Sequence, residues 1–439
     1  MKRFVALLLI LTMAFSITAC GASQTSEPAA TQTTQVEVPP TEYLPYEGET
    51  LTVLYMTGPQ ADAASMMVPE FEAVTGAKVE VIAYPYEEMH EAILLDLISY
   101  LGTYDVINID TQWDGEFAPY LEPLDDFIAQ DKFDMSLLIE NVLANCGQWQ
   151  NTIIGIPTSC TPHVFAYRTD LLPNGLPATW VEYRQAVSMV NKPQTGIYGI
   201  AVSKAPDQLE NMFNYLLWSM GGCWADEDWN VAINRTETRS VFNHLNSVRS
   251  LSDPACMEWT AEEALQAFLD GKAAVCETFL LPDLLLKAED PDQSQIVGNW
   301  ALSRIPLDKT GLTTLSATDA VIPVGSQNKK LAWEWIKMYT SYEMQNQFFD
   351  EFTILSPRKD FWEQKKTENL AVVREALDYA NSGWRLPAFL EMKATISETI
   401  SSLLSFKIYQ DGAIRQMDSK LKTLLENMPP EEGTKNYGH

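Results

Sequence analysis

The chain has 439 residues, 46% of them hydrophobic and 20% charged, enough for two domains or one divided domain with its own cores. A formal net charge of −29 leaves no clustered basic surface for nucleic-acid phosphates and disfavours direct binding to anionic lipid. Charge of this size describes a soluble surface that repels polyanions and identifies no ligand.

At the N-terminus, Lys2 and Arg3 precede the apolar run FVALLLILTMAF, and Ser16-Ile17-Thr18-Ala19-Cys20 follows. A basic start, a short apolar core and a small residue before the cut describe a secretory signal over 1–19. The run is short for a membrane-spanning helix. Ile17-Thr18-Ala19-Cys20 resembles a bacterial lipobox, in which Cys20 is acylated and becomes the first mature residue. The next stretch, rich in Ser, Thr, Gln, Ala and Pro, cannot bury enough surface to offset ordering, and 20–47 reads as a lipid-anchored, disordered tether. The remaining cysteines, Cys146, Cys160, Cys223, Cys256 and Cys276, have no zinc spacing, and buried thiols are their default reading.

Residues 51–56, LTVLYM, read as the first strand, ended by Gly58-Pro59. Met66, Met67, Phe71 and Val74 fall at helical spacing over 61–74, with Thr75-Gly76 as the stop. A second strand follows over 78–82, a second amphipathic helix over 86–101 ended by Gly102, and a third strand over 104–110. Alternation of strand and helix predicts a parallel α/β sheet with right-handed crossovers. Ligands of such a sheet bind beyond the carboxyl ends of its strands. That rule singles out Asp110, Gln112, Trp113 and Asp114, with Trp113 lying flat as an apolar floor ringed by hydrogen-bonding groups. The competing expectation is that Trp113 plugs a crevice, since Trp is usually well buried.

Nine segments carry a family resemblance: F-E-A-V-T-G-A-K-V-E-V-I (71–82), G-T-Y-D-V-I-N-I-D-T-Q-W (102–113), L-E-P-L-D-D-F-I (121–128), G-I-P-T (155–158), F-A-Y-R-T-D-L-L (165–172), A-T-W-V-E-Y-R-Q-A (178–186), I-Y-G-I-A (197–201), E-E-A-L-Q-A-F-L-D-G-K-A-A-V (262–275) and L-A-W-E-W-I-K-M-Y-T (331–340). In that order they resemble the extracellular solute-binding proteins of ABC importers, sugar-binding type. The resemblance implies an α/β fold of two lobes, a type II periplasmic-binding-protein clamshell, each lobe a doubly wound, mostly parallel sheet, with the ligand between them. Lobe one would comprise 48–156 plus 309–356, lobe two 157–308 plus 357–428, and 429–439 a disordered tail. The chain would cross at 155–158, return near 306–315 into a strand over 320–324, and cross again near 356–357.

By matching motifs, the resemblance implies a carbohydrate site built from Asp110, Trp113, Asp114, His163, Phe165, Trp224, Trp229, Asp319, Trp384 and Arg385. Aromatic faces stack on sugar rings, and carboxylates accept hydroxyls in charge-assisted bonds. His163 reads equally as a structural histidine, and Trp224 and Trp229, in GGCWADEDWN, equally as a surface turn. Trp333 and Trp335 sit in a helical pattern that suits packing. Many relatives carry a glycine pair where this chain has Thr318-Asp319, which either removes a close backbone approach or changes the ligand. The acids at 226–228 lack calcium-loop spacing, so no metal or other cofactor is expected.

The implied function is capture of a mono- or oligosaccharide and its delivery to importer permease subunits, by a monomer held to the outer face of the membrane only by its lipid. Alternatives are another solute class (polyamine, peptide, iron), a secreted carbohydrate-active enzyme, or a structural or sensory surface lipoprotein. The enzyme needs a carboxylate pair or a nucleophile in a catalytic setting, and none stands out.

Overall fold

The computed structural model describes residues 44–426, apart from 227, 278 and 279. The signal segment, Cys20, the tether up to 43 and the 429–439 tail lie outside the described residues. Residues 44–47, read as the end of the tether, are instead tied down: the Tyr46 amide donates to the Thr75 carbonyl at 2.9 Å.

Strand β1 (Thr50–Met56) is followed by helix Pro59–Thr75, whose proline sits in the first turn, where its missing N–H costs nothing. Then come β2 (Lys78–Tyr84), helix Tyr86–Ser99 and β3 (Val106–Asp110). The helix ends at left-handed Tyr100 (φ 50°), two residues before Gly102. Strand β1 pairs in parallel with β2 and β3, as strand–helix alternation requires.

Strand β4 (Gly155–Pro162) leads to β5 (Phe165–Arg168), β6 (Tyr198–Ala201), β7 (Ala273–Cys276) and β8 (Trp300–Ser303). The last four form a second sheet in the order β8-β5-β7-β6. Only its β6–β7 pair is parallel; β5 runs antiparallel to both neighbours. A mostly parallel sheet therefore describes β1 to β3 and does not describe this second sheet. Its strands β5 and β8 are returning segments rather than successive crossovers.

The return strand is longer and earlier than the sequence suggested. It is a single strand, β9 (Thr313–Val321), antiparallel to β3 at one end and to β4 from Leu315 to Val321. Its start also pairs in parallel with β10 (Ala380–Asn381). The run TTLSATDAV lacks strong apolar alternation because small and hydroxyl side chains meet one another here. Thr158 Oγ1 lies 2.8 Å from Thr318 Oγ1 and donates to the Thr318 carbonyl at 2.9 Å. Asn108 donates to the same Thr158 hydroxyl at 2.6 Å.

Each sheet has its own core. Leu51, Val53, Phe71 and Trp335 pack behind the first, with Trp335 Nε1 donating to the Tyr55 hydroxyl at 2.9 Å. Phe165, Trp180, Tyr183, Phe213 and Leu217 pack behind the second. Trp333 and Trp335 are core residues, as their helical spacing suggested. Cys146, Cys160, Cys256 and Cys276 are buried and Cys223 half-buried.

Candidate functional site

Beyond the carboxyl end of β3, the chain turns into a short helical turn, Thr111–Trp113, capped by the Asp110 carboxylate, which accepts the Gln112 amide at 2.9 Å. Facing it is helix Pro206–Ser219, buried on nearly every side. Between them lies a cleft of about 140 Å³. Asp110 and Gln112 form one wall, Asp207, Gln208, Glu210, Asn211 and Asn214 the other. The start of β9 (Thr314, Leu315, Ser316), Ser382 and Lys393 close it. A larger concavity of about 800 Å³ lies along edge strand β6 and helix Ala261–Leu269, but residues 193–273 supply all of it. The smaller cleft is the better site, because segments far apart in sequence converge there at a strand end.

The cleft is polar and partly dry. Burial raises the Asp110 carboxyl above the usual range, opposed by the Gln112 amide, the Lys393 charge and a Tyr86 hydrogen bond. Burial also raises Glu210, opposed by Lys393 and by Asn214, while Asp110 adds repulsion. Asn214 donates its amide to Glu210 and accepts Trp224 Nε1 at 2.8 Å, so a tryptophan in the core sets the angle of a cleft carboxylate. Gln112 reaches across to the Ser382 carbonyl at 3.3 Å. Beside this cleft, a water-sized space of about 10 Å³ is lined by His163, Gln208, Asn211, Tyr215 and Glu277. Burial lifts Glu277 to about 7 despite hydrogen bonds from Tyr183 and Tyr215, and burial lowers His163 to about 3.

Of the residues singled out from sequence, Asp110 and Gln112 line the main cleft, and His163 lines the adjoining space. Trp113 is 2% exposed and packs among Tyr86, His90 and Phe117, with ring centroids 4.7 to 6.0 Å away. It is a plug of the first core rather than an exposed floor, and it backs Tyr86, which bonds Asp110. Phe165 is fully buried against Trp180, Tyr183 and Tyr215. Trp224, Trp229 and Trp384 form one cluster behind the helix, with centroids 5.1 and 5.7 Å from Trp384. Asp226 in the same loop caps Asn230 and pairs with Arg235 at 2.7 Å.

Asp114, Asp319 and Arg385 meet elsewhere, in a sealed cluster beside β4 and β9. Arg385 Nη1 donates to Asp114 at 3.1 Å and to the Gln148 carbonyl at 2.7 Å, and Nη2 to the Ala144 carbonyl at 3.1 Å. Asp114 and Asp319 have no exposed surface. Burial raises Asp114 to about 6 although Arg385 opposes it. Burial, with the Asp114 charge beside it, holds Asp319 well above the usual carboxylate range. Thr318 joins the hydroxyl cluster with Thr158 and Ser159.

Glu210, Asn211, Asn214 and Lys393 were not singled out from sequence. One signal was present: Glu210 and Asn214, one helical turn apart, occupy a stretch otherwise dominated by large apolar residues.

Comparison with known proteins places the chain among binding proteins. The signature described as "Bacterial extracellular solute-binding protein" matches residues 57–346. A "Probable amino-acid ABC transporter periplasmic-binding protein y4oP" of Sinorhizobium fredii is 23% identical over 60% of this chain and 62% of its own length. The mannitol-binding protein of Pseudomonas aeruginosa is 22% identical over 58% of this chain and 60% of its own. The chain thus spans about three fifths of these curated relatives. Among solved structures, an ABC transporter solute-binding protein of Agrobacterium radiobacter K84 in complex with ribitol superposes with TM-score 0.74 at 22% identity. That match covers 87% of this chain and 100% of the other. Maltose-bound MalE3 of T. maritima gives 0.75 at 21% identity, covering 85% and 99%. The fold is therefore the mixed α/β, two-lobed periplasmic-binding-protein type.

Proposed function

Because the chain belongs to the bacterial extracellular solute-binding protein family, we propose that it captures a small carbohydrate or polyol in the Asp110–Glu210 cleft and delivers it to the permease subunits of an ABC importer. The observation that carries the reading is the cleft itself. Carboxylates and amides from two walls face about 140 Å³, which is small beside the ~300–1,000 Å³ of drug-sized pockets and suits a monosaccharide-sized solute dense in hydroxyls. Relatives bound to ribitol and D-mannitol support a ligand of that size. Lobe one is taken as 48–156 plus 309–356 and lobe two as 157–308 plus 357–428. Strands β4 and β9 carry the chain between them, in keeping with the two sheets.

In this reading the solute leaves the cleft chemically unchanged. The protein acts as a monomer anchored outside the cell through Cys20, and Cys20→Ala leaves the membrane fraction. Among the described residues no helix is long and apolar enough to cross a membrane.

The test is a thermal-shift screen of sugars, polyols, amino acids and polyamines. A ligand at about 100 times its Kd adds about 2.7 kcal/mol of apparent stability. A rise with a sugar or polyol, returned intact by mass spectrometry, is the expected result. A rise with amino acids or polyamines alone overturns the carbohydrate reading.

A further inference from the structure

Among the described residues, three carboxylates, Asp110, Asp207 and Glu210, face the cleft, against the single ammonium of Lys393. Asp110 and Glu210 come from opposite walls, and each is buried enough to lose much of its hydration. Lys393 lies between them in charge terms, attracting both, and cannot neutralise two. Asp207 stands at the exposed rim, where it accepts Gln208 Nε2 at 2.7 Å. A second observation is independent of the acids. Thr314 is 5% exposed, lines the cleft, and its Oγ1 has no hydrogen-bond partner among the described residues. A buried hydroxyl without a partner is a desolvation cost that a bound polar ligand removes.

The third observation concerns what the cleft lacks. Among the described residues no aromatic ring lines it; Tyr86, which bonds Asp110, stands behind with Lys393 Nζ 5.9 Å from its ring centre. Trp113, Trp224 and Trp384 are each 2% exposed and packed behind its walls. Stacking on an aromatic floor, the usual means of holding a neutral sugar face, is not offered by this surface. What it offers is uncompensated negative charge beside hydroxyl and amide groups.

Taking the carbohydrate reading of this cleft as the premise, we propose that its preferred solute bears a protonated amine: an amino sugar or amino polyol rather than the neutral counterpart. The ammonium sits between Asp110 and Glu210 as the second counter-charge that Lys393 cannot supply, in charge-assisted hydrogen bonds. The hydroxyls of the same molecule meet Gln112, Asn211, Thr314 and Ser316.

Titration calorimetry of the full chain with two matched pairs tests this: glucamine against sorbitol, and glucosamine against glucose. At low salt the amine-bearing member should bind at least about tenfold tighter, the scale of one hydrogen bond to a charged group. Added salt should narrow the gap as screening grows. Glu210→Gln should lower the ratio of amine to neutral affinity about tenfold, a readout that a general loss of fold would not move. Should that variant unfold, Asp207→Asn at the exposed rim should lower the same ratio by a smaller factor. Equal or tighter binding of sorbitol or glucose overturns the amine proposal and leaves the carbohydrate reading standing. So does a response confined to longer neutral saccharides. Binding of amino acids, with no sugar or polyol of either kind, overturns both.

Discussion

Asp110 and Asp114 leave the same strand end four residues apart, yet they do opposite work. Asp110 accepts one backbone amide and a tyrosine hydroxyl and still opens on the cleft. Asp114 meets Arg385, Thr111 and the Gly147 amide, and no part of it reaches solvent. What separates them is not residue type or position relative to the sheet but access: Asp114 is sealed from solvent although its Oδ1 has no partner among the described residues, and Asp110 opens on the cleft. A carboxylate with a guanidinium beside it and a second acid against it is committed to holding the crossing strands. A carboxylate with a face on the cleft is available to a solute.

The strongest way to break this contrast is Arg385→Met. It strands Asp114 without its cation and should cost about 3–5 kcal/mol, the range for splitting a buried ion pair. A urea melt reads it, and adding Asp114→Asn to the variant should restore much of the loss. A change below about 1 kcal/mol would mean that Asp114 is not held by charge, and the contrast with Asp110 would fail.

The raised Asp114 carboxyl of the sealed cluster gives the next effect. Burial raises Asp114 from 3.8 to about 6, so the native state binds its proton more tightly than the unfolded chain does. The stability this contributes is fully present below about pH 4 and is lost as pH rises through about 6. Its size is on the order of 3 kcal/mol. Melts of wild type and Asp114→Asn between pH 4 and 7 should therefore diverge, with only the wild type losing this contribution. Parallel curves would place the proton elsewhere.

The smallest effect sharpens the cleft side. Trp224→Phe removes the indole N–H that holds Asn214. It should cost about 1 kcal/mol of stability, the net worth of one hydrogen bond. By releasing the Asn214–Glu210 contact it should also weaken solute binding by a few fold in calorimetry. Unchanged binding would show that Glu210 keeps its angle without that support.

The strand–helix alternation over 51–110 was legible because period-2 and period-3.6 patterns are local properties of the chain. The same reasoning pointed to Asp110, which lines the cleft, since a strand's carboxyl end is visible in sequence. It did not find Glu210, Asn211 and Asn214, because a polar residue on a helix looks solvated unless the helix is known to be buried all round. Trp113, Phe165, Trp224 and Trp384 carried the opposite error. Their ring area suits sugar stacking, but it suits a core at least as well, and the cores took them. Arg385 and Asp319 read as site residues because the family resemblance implied ligand contacts at those positions. The structure uses that charge to tie Gln148, Ala144 and Asp114 together.

Gly155 opens β4, opposite Val321 in the ladder with β9. A Cβ placed on it would stand 1.9 Å from an Asp319 carboxyl oxygen and 2.8 Å from Val321 Cγ1. The acid thus occupies the volume that any other residue at 155 would need, and the two positions cannot drift independently. Alanine at 155 would require the Asp319 carboxylate to move aside or the residue at 319 to be shortened. Shortening residue 319 alone would not free the position, because Val321 Cγ1 would still stand 2.8 Å from that Cβ.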